Sequence, residues 1–283
     1  MLVPAPAMGQ GEGLHTAFRI FDEDAKVPLI ILRSALFQVA FYLNCTFWFL
    51  AAMLAWPFPS GVMMGFARAW ARSSLFLHEV ITGARVEFRG VERIPAGPVL
   101  VAAKHYSAWE TMALLLFFPK ATYILKRELI RTPLFGWHLL KAEQIPIDRG
   151  QRSQAMAKMQ AYAKAATARG RQLLIFPEGT RRKVGAPPDY KYGVARLYAQ
   201  LEVPCVPVAM TSGLAWPRNT LLHFPRPILI EFLEPIPAGL PPQEFFARLQ
   251  DVIETSTNRL LAEAGYDPAR ESSASAAASQ DKA

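Results

Sequence analysis

The chain has 283 residues, 52% of them hydrophobic, with 31 Lys and Arg against 23 Asp and Glu for a formal charge of +8. That length buries a sizeable core, and a mean hydropathy of +0.14 is high for an enzyme that never meets lipid. The charge favours anionic partners, while two cysteines and five scattered histidines exclude a disulfide framework and offer no metal-binding spacing.

Residues 1–26 form an N-terminal extension, and residues 27–80 are predicted to be a membrane-associated helical hairpin. No charged residue occurs between Arg33 and Arg68, and SALFQVAFYLNCTFWFLAAMLAW, Ser34 to Trp56, is long enough as a helix to cross roughly 30 Å of hydrocarbon. The run starts late, follows an acidic Asp22–Asp24 stretch and has no basic n-region, so it is not read as a cleaved signal peptide. Pro57, Pro59 and Gly61 break the helix, and a second apolar segment follows from Val62 to about Leu77. Basic residues flank both ends, Arg19, Lys26 and Arg33 before and Arg68, Arg72 and Arg85 after. Two helices dipping into one leaflet satisfy those flanks better than a single span. The competing reading is a buried core hairpin of a soluble protein.

Residues 81–266 alternate strand and helix patterns. ARVEFRG, PVLVAA, TYILK, QLLIF, CVPVAM and ILIEFL read as strands, and Trp109–Phe118, Glu128–Ala142, Gln151–Arg169, Gly193–Leu201 and Gln243–Ala264 as helices. The fold class is therefore α/β, a mixed central sheet flanked by helices behind an N-terminal two-helix membrane motif. The low-complexity tail, residues 267–283, is expected to be disordered. Cys45 and Cys205, each in an apolar setting, are read as packing residues in a reducing compartment.

Four short blocks carry candidate chemistry. KHYSAWE places His105 ahead of a helix that starts at Ser107, whose Ser-x-x-Glu pattern is a capping box. Side chains five apart do not meet on one continuous helix, so His105 reaches Glu110 only from the preceding turn. The cap and a His–carboxylate pair thus share one geometry, and a neutral imidazole so held can take a proton from an alcohol. QIPIDRG ends a strand, with Arg149 either solvated or a phosphate ligand beside a helix N-terminus. LLIFPEGTRRK opens a buried strand into a turn bearing Glu178, Gly179, Thr180 and Arg181, suited to an anion at the carboxyl edge of a sheet. In LEVPCVPVAM, Pro204 and Pro207 mark a packing strand at an edge or a strand start.

In this order and spacing the blocks resemble the glycerolipid acyltransferase family, most closely bacterial 1-acylglycerol-3-phosphate acyltransferases. HYSAWE, IPIDRG, FPEGTRR and VPCVPV stand where that family has its four motifs, supported by LKREL with PLFGW and by YKYG, over about Val86 to Gly213. The resemblance implies His105 as general base and Glu110 as its partner. It also implies a glycerol phosphate site from Arg149, Glu178, Gly179, Thr180 and Arg181, with Lys126 as a weaker member. The family's usual acidic partner is Asp, one methylene shorter than Glu110, and its usual residue at Arg182 is Ser. The implied reaction moves an acyl group from acyl carrier protein or coenzyme A, a co-substrate and not a cofactor, to lysophosphatidate. It would take place at the cytoplasmic face of a bacterial inner membrane rich in anionic lipids. Two alternatives stay open: an acyltransferase acting on glycerol-3-phosphate or another lysolipid, and a non-catalytic lipid-binding protein in which Glu110 is only a cap. Nucleic acid is not an expected partner, because no recognisable nucleic-acid-binding module accompanies the charge.

Overall fold

The structure is a computed structural model that describes residues 23–147 and 152–268. Two long helices come first, α1 (Glu23–Ala52) and α2 (Ser60–Thr82), joined by a short 3-10 turn and the Trp56–Pro59 break. Pro59 caps α2 from outside and Gly83, with φ +79°, ends it in the left-handed conformation that glycine adopts at low cost. Gly61 lies inside the first turn of α2 and so does not itself break the chain.

There follow β1 (Val86–Arg89), β2 (Leu100–Ala103), α3 (Trp109–Phe117), β3 (Ala121–Lys126), α4 (Phe135–Lys141) and β4 (Ile145–Ile147). The chain continues with α5 (Arg152–Ala168), β5 (Gln172–Ile175), α6 (Gly193–Leu201), β6 (Cys205–Met210), α7 (Ser212–Ala215), β7 (Ile228–Phe232) and α8 (Pro242–Glu263). The strands make one seven-stranded mixed sheet in the order β1-β7-β6-β2-β5-β3-β4, parallel except where β6 meets β7.

Alternation along each strand divides the core into two layers. Val101, Ala103, Leu174, Val206 and Val208 face α2 and α3, whereas Leu100, Ala102, Leu173, Cys205 and Ala209 face α5, α6 and α8. Burial pushes the Cys205 thiol above its ordinary pKa, which suits a packing role, and Cys45 accepts a hydrogen bond from Trp70 Nε1 at 3.3 Å.

Two local expectations change. The helix predicted over Glu128–Ala142 is instead a 3-10 turn, Arg127–Arg131, followed by α4. Thr132 precedes Pro133 and sits in the extended region that proline imposes on its predecessor. Pro207 lies in the interior strand β6 and not at an edge. Its missing N–H costs little, because ladder pairing with β7 runs only from Val208–Phe232 to Met210–Ile230, and the Pro207 carbonyl still accepts from Leu233.

Among the described residues one helix, Val27–Ala55, is long and apolar enough to cross a membrane. Its outer face exposes Leu32, Leu36, Val39, Leu43, Phe47 and Leu54. Its inner face is held at two distant points. Ser34 Oγ accepts the His223 N–H at 2.9 Å, and Phe49 O accepts from His138 Nε2 at 2.9 Å.

Candidate active site

Because β2 to β6 run parallel, the loops that leave them emerge along one sheet edge, the place where α/β folds gather ligand-binding groups. β2 delivers Lys104 and His105, β5 delivers Phe176 to Arg182, β3 ends at Lys126, and β6 runs into Ser212. Ile147 ends β4 at this edge, and Arg149 lies outside the described residues.

His105 leaves β2 in a turn and α3 begins at Trp109. Glu110 is fully buried. Its Oε1 accepts from His105 Nδ1 at 2.9 Å, from the Tyr106 N–H at 2.8 Å and from the Ser107 N–H at 2.6 Å. Its Oε2 accepts from Ser212 Oγ at 2.7 Å. Ser107 Oγ takes the Trp109 N–H at 3.0 Å, one residue earlier than the capping box predicts, while Glu110 does reach back to Ser107. Four donors converge on one carboxylate and hold it in a single rotamer. With Glu110 Oε1 as the acceptor, His105 Nδ1 is the donor of the pair and Nε2 is the nitrogen left open. Nε2 makes no hydrogen bond among the described residues, and the imidazole side chain is 15% exposed. Its ring stacks on Phe176 with centroids 3.9 Å apart and planes at 17°, and Tyr123 stacks beyond Phe176. An oriented base with one open nitrogen can accept a proton from a substrate hydroxyl.

The FPEGTRR turn is tied to this base from behind. Glu178, fully buried, pairs with Lys104 Nζ at 3.0 Å and accepts the His105 N–H at 3.4 Å, and the Arg182 N–H donates to His105 O at 2.8 Å. Lys104, 1% exposed, also meets Glu254 of α8 at 2.6 Å, and Tyr190 donates to the same Glu254 oxygen. Burial raises the Glu178 pKa, and the Lys104 charge opposes that rise. Gly179 takes φ +68° and its N–H bonds Phe176 O at 2.9 Å, a turn that turns Thr180 and Arg181 out into solvent. Arg218 donates to Arg181 O. Lys126 is exposed and engages Glu128 at 3.2 Å, not the dyad. Among the described residues no group of three His, Cys, Asp or Glu side chains could share a metal ion.

Three contributors escape the sequence reading: Ser212, Lys104 and Glu254. A Thr-Ser pair directly after the apolar run CVPVAM was a usable signal for Ser212, since polar residues at a strand's carboxyl end face the site edge. Glu254 sits in an amphipathic helix with nothing to set it apart.

Residues 85–211 match the family model described as Acyltransferase. A 1-acyl-sn-glycerol-3-phosphate acyltransferase of Pseudomonas aeruginosa is 37% identical over 161 residues, 57% of this chain and 63% of that protein. The protein of the same name from Cocos nucifera is 28% identical over 225 residues, 76% of this chain and 70% of that one. The chain thus spans less than two thirds of the Pseudomonas relative. The crystal structure of the 1-acyl-sn-glycerophosphate acyltransferase PlsC from Thermotoga maritima superposes with a TM-score of 0.68 at 19% identity, over 82% of this chain and 98% of that one, and so shares the fold. Fold, motif order and matched region together make this chain similar to acyltransferase-family proteins over residues 85–211.

Proposed function

We propose that the chain transfers a fatty acyl group from an acyl thioester, carried by acyl carrier protein or coenzyme A, to the 2-hydroxyl of 1-acyl-sn-glycerol-3-phosphate, giving phosphatidate. The observation that carries this reading is the His105–Glu110 pair, with Nε2 open beside the FPEGTRR turn, in a chain whose relatives bear the name of that reaction.

His105 Nε2 takes the proton of the 2-hydroxyl as the oxygen attacks the thioester carbonyl carbon. Glu110 stabilises the imidazolium that forms. The tetrahedral intermediate collapses, the carbon–sulfur bond breaks, and the imidazolium returns its proton to the departing thiolate. Phosphatidate and the free thiol leave, with no acyl-enzyme and no cofactor. The phosphate of the acceptor meets Arg149, Thr180, Arg181 and the Gly179 turn, with Lys126 at the rim. Glu178 supports that turn through Lys104 instead of meeting the phosphate, since a buried carboxylate would repel it.

The exposed apolar face of α1 is assigned to lipid, with the domain at the cytoplasmic face of a bacterial inner membrane, where acyl thioesters are available. The attachments of Ser34 and Phe49 to the domain favour a helix that lies within one leaflet over one that crosses it.

The test is transfer of a labelled acyl group to lysophosphatidate by detergent-solubilised protein beside a folded His105→Ala variant. Label in phosphatidate that falls by about 10²–10⁴-fold in the variant supports the reading. Equal transfer by both proteins removes His105 as the base. Lysolipid binding without transfer from either donor leaves the lipid-binding alternative.

A further inference from the structure

On the amino-terminal edge of the sheet, away from His105, the segments entering β3 and β5 and the start of α2 enclose a cavity of about 280 Å³, lined by Ser60, Gly61, Met64, Pro119, Lys120, Glu143, Arg169 and Arg171. Arg171 is the fixed wall. Its Nε donates to Thr122 Oγ1 at 2.5 Å, Nη2 to Ala142 O at 2.8 Å and Nη1 to Glu143 Oε2 at 3.0 Å. Arg169 Nη2 meets the same Glu143 oxygen at 3.1 Å but is 61% exposed. Lys120 is exposed, and among the described residues its amine makes neither a hydrogen bond nor an ion pair. Three cations therefore face one carboxylate. The α2 amino terminus adds to this, because its cap position is Pro59, with no side chain to accept from the first-turn amides.

The cavity opens beside the tip of the helical hairpin, where Leu54, Trp56 and Phe58 are 72%, 45% and 54% exposed. Cations next to a solvent-facing apolar tip match the level of a bilayer at which phosphates meet hydrocarbon. The volume admits a phosphate with its attached glycerol but not acyl chains, which would lie outside along the tip.

We infer that this cavity binds the phosphodiester headgroup of an anionic membrane phospholipid, held by Lys120 and Arg169 against the Arg171–Glu143 wall, at a site separate from the one proposed for the acceptor. The inference rests on the membrane assignment made above for the hairpin.

The experiment is flotation of the full-length protein with phosphatidylcholine vesicles, with and without 20 mol % phosphatidylglycerol, a lipid that is neither acceptor nor product of the proposed reaction. Binding to neutral vesicles reads the hairpin alone, and the gain on adding phosphatidylglycerol reads the cavity. Lys120→Ala/Arg169→Ala should lose that gain by about tenfold or more, at roughly fivefold per cation removed. Arg196→Ala/Arg248→Ala, which removes two exposed cations from α6 and α8 on the opposite sheet face, should keep it. Lys120→Ala alone, which breaks no hydrogen bond or ion pair among the described residues, should lose about fivefold and guards against misfolding of the double variant. Equal loss in both double variants would reduce the effect to net charge and overturn the inference, as would full retention in the cavity variants. A melting temperature raised by inorganic phosphate in wild type only, with no difference between vesicles, would make the cavity a free-phosphate site and overturn its assignment to lipid.

Discussion

Ser212 and Glu110 lie 102 residues apart in the chain and 2.7 Å apart in space, a contact made because β6 runs beside β2. The hydroxyl occupies the carboxylate oxygen that the His105 turn leaves unused, so Glu110 is fixed from two elements. Replacing Ser212 with Ala leaves Oε2 without its donor in a buried setting. The expected cost is about 2 kcal/mol of stability, because a buried charge loses a hydrogen bond. A roughly tenfold fall in kcat with little change in KM should accompany it, and Ser212→Thr should restore most of that rate. Melting curves and acyl-transfer kinetics on the three proteins check this, and an unchanged kcat in Ser212→Ala would remove Ser212 from the positioning of Glu110.

The extra methylene of Glu110 relative to Asp is what lets one carboxylate meet both the His105 turn and α7. Glu110→Asp should keep one of these contacts and lose the other, leaving activity within about tenfold of wild type. Glu110→Gln keeps the shape but supplies no charge for the imidazolium and no second acceptor for Ser212, so a loss of about 10²–10⁴-fold is expected. A larger loss for Asp than for Gln would reverse the assigned roles.

The buried Lys104–Glu178–Glu254 cluster gives a prediction about acid and base stability. Burial raises the folded-state pKa of Glu178, so between its ordinary value near 4.5 and the raised value the folded protein holds more protons than the unfolded chain. The Glu178 contribution to stability therefore falls as pH rises through that window. Glu178→Gln should flatten this part of a melting-temperature profile. Lys104→Met, by stranding Glu178 without its partner, should cost about 3–5 kcal/mol at neutral pH and steepen the decline.

His223 titrates with the opposite sign. Burial lowers its pKa from 6.5 to about 4, with the ring of Phe37 4.6 Å away and Gln38 at 3.0 Å from Nε2. Between those two values the unfolded chain holds the extra proton, so stability is lost as pH falls from 6.5 towards 4, on the order of 3 kcal/mol in total. A His223→Gln variant should show a shallower acid limb, and an unaltered slope would mean that the ring is not buried neutral.

The Gly179 turn separates backbone strain from chemistry. An alanine there meets only Lys191 Cγ at 3.9 Å but must hold φ +68°, so about 1 kcal/mol of stability should be lost. If Thr180 and Arg181 bind the acceptor phosphate, KM for lysophosphatidate should rise far more than that strain alone implies.

The strands and most helices were legible because each is a short apolar run or a 3.6-residue pattern between breakers, and periodicity carries that information without knowledge of neighbours. The His105–Glu110 pair was legible because capping geometry confines both residues to one turn. Ser212, Glu254 and the burial of Lys104 were not, since each depends on which strands and helices become neighbours in space. A lysine before the His105 turn reads as solvated until α8 is known to lie over it. The break at Thr132–Pro133 was visible in the sequence, but the helical pattern on either side outweighed it.

A helix fastened to its domain at two separate points, Ser34 and Phe49, behaves as a keel and not as a tether. With α1 in the lipid as proposed, its depth would set the draught of the whole molecule, and the height of His105 above the hydrocarbon would follow from the fold and not from the length of a linker. A thicker or thinner bilayer would then leave the reaching distance between base and acceptor unchanged, because a body resting in one leaflet never touches the other.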